Sequence, residues 1–337
     1  MRFTQEKKET ICSYIMEKIE EGRENVPVLV ADAFNINLNT VHTYIRELID
    51  QGKIIREKRG SYSLCKSTHD FMFSRSKGDL DDDLYIYEEA IVPLLSDLDT
   101  EIKLIWDYAF SEMINNVMDH SGAEHTWVTV IQDPKATTVV IRDDGIGIFR
   151  NVRENLNLRN NSEVITELLK GKLTTDRKKH SGEGIFFTSR MMDRFFIYSD
   201  KTFYAIDKFQ NEWLTMIPDD ESFSGTLVCM SLENDSRKTA KGVFDHYTND
   251  NGEFDRTEIQ LSTIFDRAPV SRSQAKRLCS RLNEFREVVL DFSDIEWMGQ
   301  GFAHQIFVVF QRDNPEIRLI PRNMTNGVLS MWKHVTG

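Results

Sequence analysis

Apolar residues recur with helical spacing along the first fifty positions. Ile11, Ile15, Met16 and Ile19 share one face of the stretch 6–20, which predicts an amphipathic helix. A short second helix is expected over 28–34. The polar run Asn35-Ile36-Asn37-Leu38-Asn39 reads as a turn, with Asn37 or Asn39 as the N-cap of the next helix. That third helix is expected over 40–51, with Val41, Ile45, Leu48 and Ile49 on one face and Gly52 as its stop. From 53 to 64 the pattern changes, and two short strands are expected around a basic turn at Arg59-Gly60.

The polar stretch 67–83 ends in Asp79, Asp81, Asp82 and Asp83 and reads as part of a linker. Beyond it, helical patterns cover 87–98 and 101–120. Strands are expected over 126–132 and 138–142, joined by an Asp-Pro-Lys turn, and again over 194–200, 201–207, 213–217 and 226–232. A helix over 185–193 separates these two groups. A break at 234–241 precedes a third region, with a helix over 271–284 and a buried strand at 287–292. There Gly299-Gln300-Gly301 leads into a helix at 302–311, and a strand comes after it at 316–320. The order describes a multidomain α/β protein with an α/β sandwich at its centre.

Composition narrows the class. With 337 residues, 40% hydrophobic and 28% charged, the chain has enough apolar surface for two or three domain cores. No apolar run approaches the roughly 20 residues of a membrane helix, and the first ten residues lack a signal-peptide core, so a cytoplasmic protein without a membrane partner is expected. Cys12, Cys65, Cys229 and Cys279 have no metal-type spacing and read as reduced, structural thiols. A net charge of -12 disfavours non-specific coating of nucleic acid, leaving sequence-specific contact by one locally basic module.

The candidate chemistry lies in the middle of the chain. Glu112 and Asn116 are four apart on the long helix and so point from one face. Alone, that pair would be a solvated polar face. The strand 138–142 is followed by Asp143-Asp144-Gly145-Ile146-Gly147, where the glycines permit close backbone approach and the aspartate can accept from an exocyclic amine. Further on, Ser181-Gly182-Glu183-Gly184 opens a helix, and backbone N–H groups at such a terminus suit phosphates. The polar 160–179 stretch, with Lys170, Lys172, Arg177, Lys178 and Lys179, reads as a lid over them. Gly225-Thr226 at a strand start completes the set.

These four elements, in this order, resemble the nucleotide motifs of the Bergerat-fold ATPase superfamily across 87–233. The resemblance implies ATP and Mg²⁺ as cofactors. Asn116 would ligate the metal, Asp143 would read adenine with help from Thr226, and Gly145 and Gly147 would floor the pocket. Gly182 and Gly184 would line the phosphates. Glutamate at 112 is similar to the anti-sigma-factor serine kinases and gyrase-like ATPases, in which that carboxylate is a general base. No phosphoacceptor hairpin of the histidine-kinase kind is legible. His120 and His125 read as structural.

The first 65 or so residues resemble a winged helix-turn-helix. That implies bases within reach of Asn37, Asn39, Thr40, Thr43 and Tyr44, and phosphates within reach of Arg46, Lys53, Arg56, Lys58 and Arg59. The wing sets Lys53, Arg56, Lys58 and Arg59 against the single carboxylate Glu57. The region 254–320 resembles STAS-like domains through Val288-Val289-Leu290-Asp291-Phe292-Ser293 and Met298-Gly299-Gln300-Gly301-Phe302. The serine-bearing turn of anti-anti-sigma factors reads Gly-Gln-Gly here, so no hydroxyl is available there, and Ser293 reads as a turn residue. The expected layout is a winged helix at 1–66, a linker at 67–86, a Bergerat-type ATP-binding domain at 87–235 and a STAS-like domain at 244–337. The expected function is an ATP-responsive regulator whose partners are ATP, a specific duplex DNA and a regulatory protein, with homodimerisation left open. The alternatives are a serine/threonine kinase acting in trans and an ATPase switch with Glu112 as base.

Overall fold

The computed structural model describes residues 4–58, 60–172, 183–206, 223–265 and 267–337. Arg59, Gly182, the basic residues 177–179 and the strand expected at 213–217 lie outside the described residues. Three sheets form among the described residues: a two-stranded hairpin, a six-stranded sheet and a three-stranded parallel sheet. The chain packs as two compact units. One comprises Met1–Asp70 with Thr129–Val139 and Ser231–Ser236, and the other comprises Phe71–Val128, Val140–Met230 and Arg237–Gly337.

In the first unit, helices α1 (Gln5–Glu20), α2 (Val26–Phe34) and α3 (Leu38–Asp50) precede an antiparallel hairpin of β1 (Ile54–Lys58) and β2 (Ser61–Leu64). Thr4 caps α1, and Asn37 caps α3 by accepting from the Asn39 N–H at 2.8 Å. Ile11, Ile15, Val30, Val41, Ile45, Leu48 and Ile54 make one core. Tyr44 belongs to that core and not to the exposed face expected from sequence, because position 44 comes three residues after Val41 and so shares its buried side. The unit also ties Glu20 to Lys135 by an ion pair, and Asp70 accepts from the Thr129 hydroxyl at 2.6 Å.

The stretch expected as a linker carries an edge strand, β3 (Ser67–Ser74), two 3₁₀ turns and the start of α4 (Asp83–Ala90). Its polar composition reflects an edge position, where only one face needs apolar cover. Phe73 supplies that cover. Arg75 then donates to the carbonyls of Ala123 and Met118 at 2.9 and 3.1 Å.

In the second unit α5 (Thr100–Asn116) is capped by Asp99 and buries Ile105, Trp106, Ala109, Phe110 and Met113. The helix expected to reach 120 passes instead into a π-helical turn, Val117–Ser121, ended by Gly122 at a φ of 63°. Along the chain, with parts of β4, β5 and β8 counted in the first unit, there follow β4 (His125–Gln132), β5 (Ala136–Asp143), α6 (Ile148–Asn155), α7 (Asn161–Lys170), α8 (Gly184–Met191), β6 (Arg194–Ser199), β7 (Thr202–Ala205) and β8 (Thr226–Glu233). The sheet order is β3-β4-β5-β8-β6-β7. β8 is buried along nearly its whole length, as its central place demands, while β4 and β5 alternate. The opposite face carries Val140, Phe196, Leu227 and Cys229.

The lid expected over 160–179 is not a loop where it is described. Residues 161–170 form α7, with Val164, Leu168 and Leu169 packed inward and Asn160 as N-cap. The apolar residues at helical spacing outweigh the surrounding polar composition.

The C-terminal part opens with α9 (Ala240–Tyr247) and β9 (Arg256–Gln260), neither of which was expected from sequence. α10 (Arg272–Cys279) starts from a capping box between Ser271 and Gln274 and stops short of 284, with a separate 3₁₀ turn at Leu282–Glu284. The apolar strand β10 (Glu287–Asp291) is the centre of a parallel sheet, in register with β9 and with β11 (Arg318–Arg322). α11 (Gln300–His304) runs on through a π-helical stretch into α12 (Gln311–Asp313), and α13 (Asn326–Thr336) ends the fold.

Candidate functional site

The long helix α5 projects Glu112 and Asn116 one turn apart, both half-buried. Ile105 and Ala109, two turns before Glu112 and Asn116 respectively, share their side of the helix and, like Met113, are almost fully buried, so the polar pair is held toward the interior. Glu112 is met by the start of α8. A Cβ built on Gly184 would overlap Oε2 of Glu112 and lie 2.8 Å from its Cδ. Tyr108, one turn before Glu112, faces Glu112 and Glu183. Burial raises its phenol well above the ordinary range, and the two carboxylates push the same way. The Asn116 Nδ2 is buried with no hydrogen-bond partner in the protein. The nitrogen and oxygen of such an amide are exchangeable by a flip, so a buried polar end is left for an external group.

A second cluster forms where β5 and β8 end side by side. Asp143 is 2% exposed, and its Oδ1 accepts from the Gly145 N–H at 2.8 Å. Burial pushes its carboxyl up to about 6, against the opposing hydrogen bonds from Gly145 and Thr226. The neighbouring Asp144 is held below the ordinary range. Burial opposes this, but His125 and the backbone N–H groups of His125 and Glu124 outweigh it. Two adjacent aspartates are thus pushed apart, the buried one nearly neutralisable and the outer one a structural anchor. His125, at 2.8 Å from Asp144, is accordingly structural.

The glycine motifs bind these pieces together. Gly225 has a φ of 103° and a Cβ there would overlap the Asp143 carbonyl. Gly145 sits directly on the Ser121 carbonyl, which also accepts from the Ile146 N–H at 2.9 Å. Gly147 rests against Ser199 Oγ, itself donating to the Gly225 carbonyl at 2.7 Å. Thr226 Oγ1 accepts from the Ile148 N–H at 3.0 Å, tying β8 to the start of α6.

Of the residues expected from sequence, Glu112 and Gly184 meet directly, as do Asp143, Gly145 and Thr226. Gly145 reaches the end of the Asn116 helix through Ser121. Gly182 lies outside the described residues. Ser121, Ser199, Tyr108 and Glu183 were not singled out as site residues. Tyr108 had a usable signal, since it precedes Glu112 by four and shares its face. Ser199 had none.

On the first unit, Asn39, Thr43 and Arg46 are exposed at helical spacing on α3, with Thr40 half-buried beside them and Arg56 exposed on β1. The Thr43 hydroxyl donates to the Asn39 carbonyl at 2.9 Å. In the C-terminal part, Ser293 donates through both N–H and Oγ to Asp291 Oδ1, at 2.8 and 2.7 Å, as a turn residue. Gly299 opens α11, and its N–H is held by the Pro269 carbonyl at 2.9 Å.

A parallel three-stranded sheet with helices between its strands defines a small α/β module at the C-terminus. Residues 274–329 match the family described as "STAS-like domain of unknown function (DUF4325)". The chain therefore carries a C-terminal STAS-like domain in a mixed α/β protein. No curated protein matches the chain. Among the described residues, no helix is long and apolar enough to cross a membrane.

Proposed function

We propose that the chain is an ATP-binding regulator, with a Bergerat-type nucleotide domain at 87–235 between a DNA-binding winged helix at 1–66 and the STAS-like domain. The observation that carries this reading is Asp143, a buried carboxyl at a strand end, braced by Gly145 and Thr226 and adjoining Gly225. Such a group costs stability unless a ligand uses it, and an adenine amine is a donor of matching chemistry. Thr226 would assist it, and Gly145 and Gly147 would let the base approach.

The orphaned amide of Asn116 fits a Mg²⁺ ligand, and Mg²⁺ when bound would neutralise phosphate charge. The backbone at Gly184, beside Glu112, supports a phosphate subsite at the start of α8. The exposed row Asn39, Thr43 and Arg46 on α3 supports base and phosphate contact by the winged helix, with Thr40 beside it and Arg56 on the wing.

Calorimetry with Mg·ATP tests the nucleotide reading. Binding is expected for the natural chain and loss of it for Asn116→Ala and for Asp143→Asn. Retention of affinity in both variants would refute the site. Selection from random duplexes tests the DNA reading, which fails if no recovered sequence depends on Arg46.

A second reading has one observation in its favour. Glu112 lies in a half-buried, tyrosine-flanked setting beside Gly184, which suits a general base acting on water or on a protein hydroxyl. With γ-labelled ATP, free phosphate would indicate hydrolysis and label on an added protein would indicate a kinase. Neither product would leave nucleotide sensing alone. The STAS-like domain is not the expected acceptor, because Gly299, Gln300 and Gly301 have no hydroxyl and Ser293 is committed to Asp291.

A further inference from the structure

The side chain of Lys170 has no role in the nucleotide site, yet it is among the most deeply buried in the protein, at 1% exposure. Its ammonium donates to Glu167 Oε1 at 2.7 Å, to the Ser280 carbonyl at 2.6 Å and to the Arg277 carbonyl at 3.3 Å. All three of its N–H donors are thus used, two of them on the end of α10 in the STAS-like domain. Burial lowers its pKa, with Glu167 opposing.

The grip extends over the next two residues. Thr257 Oγ1 on β9 donates to the Lys170 carbonyl at 2.8 Å. Gly171, at a φ of 80°, lies so close to Phe254 that a Cβ would stand 2.6 Å from its ring. Lys172, also left-handed with a φ of 48°, donates to the Glu284 carbonyl at 2.6 Å and stacks over Phe285. From the other side, Arg281 donates to the Lys172 carbonyl at 2.8 Å and pairs with Glu167 at 3.5 Å. Arg281 is itself held at a φ of 61°, a strained conformation for a residue with a Cβ.

α8 is held by the same module. Arg190 donates to the Glu258 carbonyl at 3.2 Å, and Phe186 and Phe187 pack on Phe254 with ring centres 4.6 and 5.1 Å apart. Phe186 and Phe187 lie within one turn of Gly184, the residue that meets Glu112. A chain of direct contacts therefore runs from Glu112 through α8 to Phe254 and the STAS-like sheet, and the Lys170 clamp fixes α7 beside it.

We infer that the STAS-like domain is an integral coupling element of the candidate nucleotide site, with Lys170 and Arg281 as its positioning residues. A ligand that moves Glu112 or the start of α8 changes the clamp, and a partner that loosens the clamp changes ligand affinity by the same factor. This rests on the proposed nucleotide reading and adds to it the route by which the site is regulated. The clamp uses the N-terminal ends of β9 and β10, whereas Gly299-Gln300-Gly301 lies beyond the C-terminal end of β10. The sheet end bearing that turn is therefore not the end engaged by the clamp.

Hydrogen exchange on the full-length chain, with and without Mg·ATP, tests the inference without substitutions. Slower exchange is expected over α5 and β5 and also over 275–284. Arg281→Ala, which leaves the buried Lys170–Glu167 pair intact, is expected to bind Mg·ATP about tenfold more weakly and to lose the protection at 275–284. Protection confined to α5 and β5 would overturn the coupling and leave the nucleotide site standing. Absence of Mg·ATP binding would overturn both.

Discussion

Gly184 and Glu112 occupy one another's space. The position that a side chain at 184 would take is filled by the Glu112 carboxylate, so the first residue of α8 and the polar face of α5 are fitted to each other. A methyl group at 184 would have to displace the far end of Glu112 and not the backbone. Gly184→Ala should therefore change unfolding free energy in urea by less than about 1 kcal/mol, since alanine favours the helix. The same variant should weaken Mg·ATP binding by about tenfold or more in calorimetry, the scale of a misplaced charged hydrogen-bond partner. Equal losses in stability and binding would show that the fit is merely structural.

Asp143 makes stability depend on pH. Its native pKa of about 6 lies above the unfolded value of 3.8, so between those values the native state binds more protons than the unfolded chain. Stability from this group is complete below pH 3.8 and is lost as pH rises through 6, by a total on the order of 3 kcal/mol. Urea unfolding from about pH 4 to about pH 8 should show this fall, and Asp143→Asn should flatten it. Binding of adenine nucleotides, which requires the carboxylate as acceptor, should rise over the same interval in the natural chain.

Gly225→Ala should destabilise the protein by about 3 kcal/mol or more, because a Cβ there would overlap the Asp143 carbonyl and φ is 103°. Gly252 has a φ of 77° but open space around it, and its alanine variant should lose only about 1 kcal/mol. Thermal unfolding of the two variants side by side separates the clash from the backbone strain.

Lys170→Met leaves Glu167 buried with Arg281 as its cationic partner among the described residues, and it should destabilise the chain by about 3–5 kcal/mol. Adding Glu167→Leu should recover part of that loss, because both buried charges are then gone. A double variant no more stable than the single one would count against a charge-driven clamp.

For the winged-helix reading, Arg46→Ala and Arg56→Ala should each reduce the dependence of duplex affinity on salt by about one unit of slope. Asn39→Ala should instead relax base preference with the slope unchanged. Fluorescence anisotropy on a selected duplex across a salt series measures both, and identical behaviour of the three variants would refute the division of roles.

Much of the local structure is legible in the chain itself. The i, i+4 spacing of Glu112 and Asn116, the alternation that makes β4 and β5, and the cap at Asn37 are short-range facts. They arise from helix and strand geometry and need no partner. The limits of legibility are equally physical. Composition at 67–83 concealed β3, because an edge strand needs little apolar cover, and the lysines at 170 and 172 suggested a lid. Lys170 is instead buried where two carbonyls from a segment more than a hundred residues away accept from its ammonium beside Glu167.

The sequence by itself determined which residues share a helix face, where the glycines fall and that strands precede them, because those properties are set within a few residues. Tertiary structure alone decided that Gly184 closes on Glu112, that Gly225 backs on to Asp143 and that Lys170 is taken up by the STAS-like domain. Each of these depends on how distant segments pack, and no periodicity in the chain encodes which buried donor will meet which carbonyl.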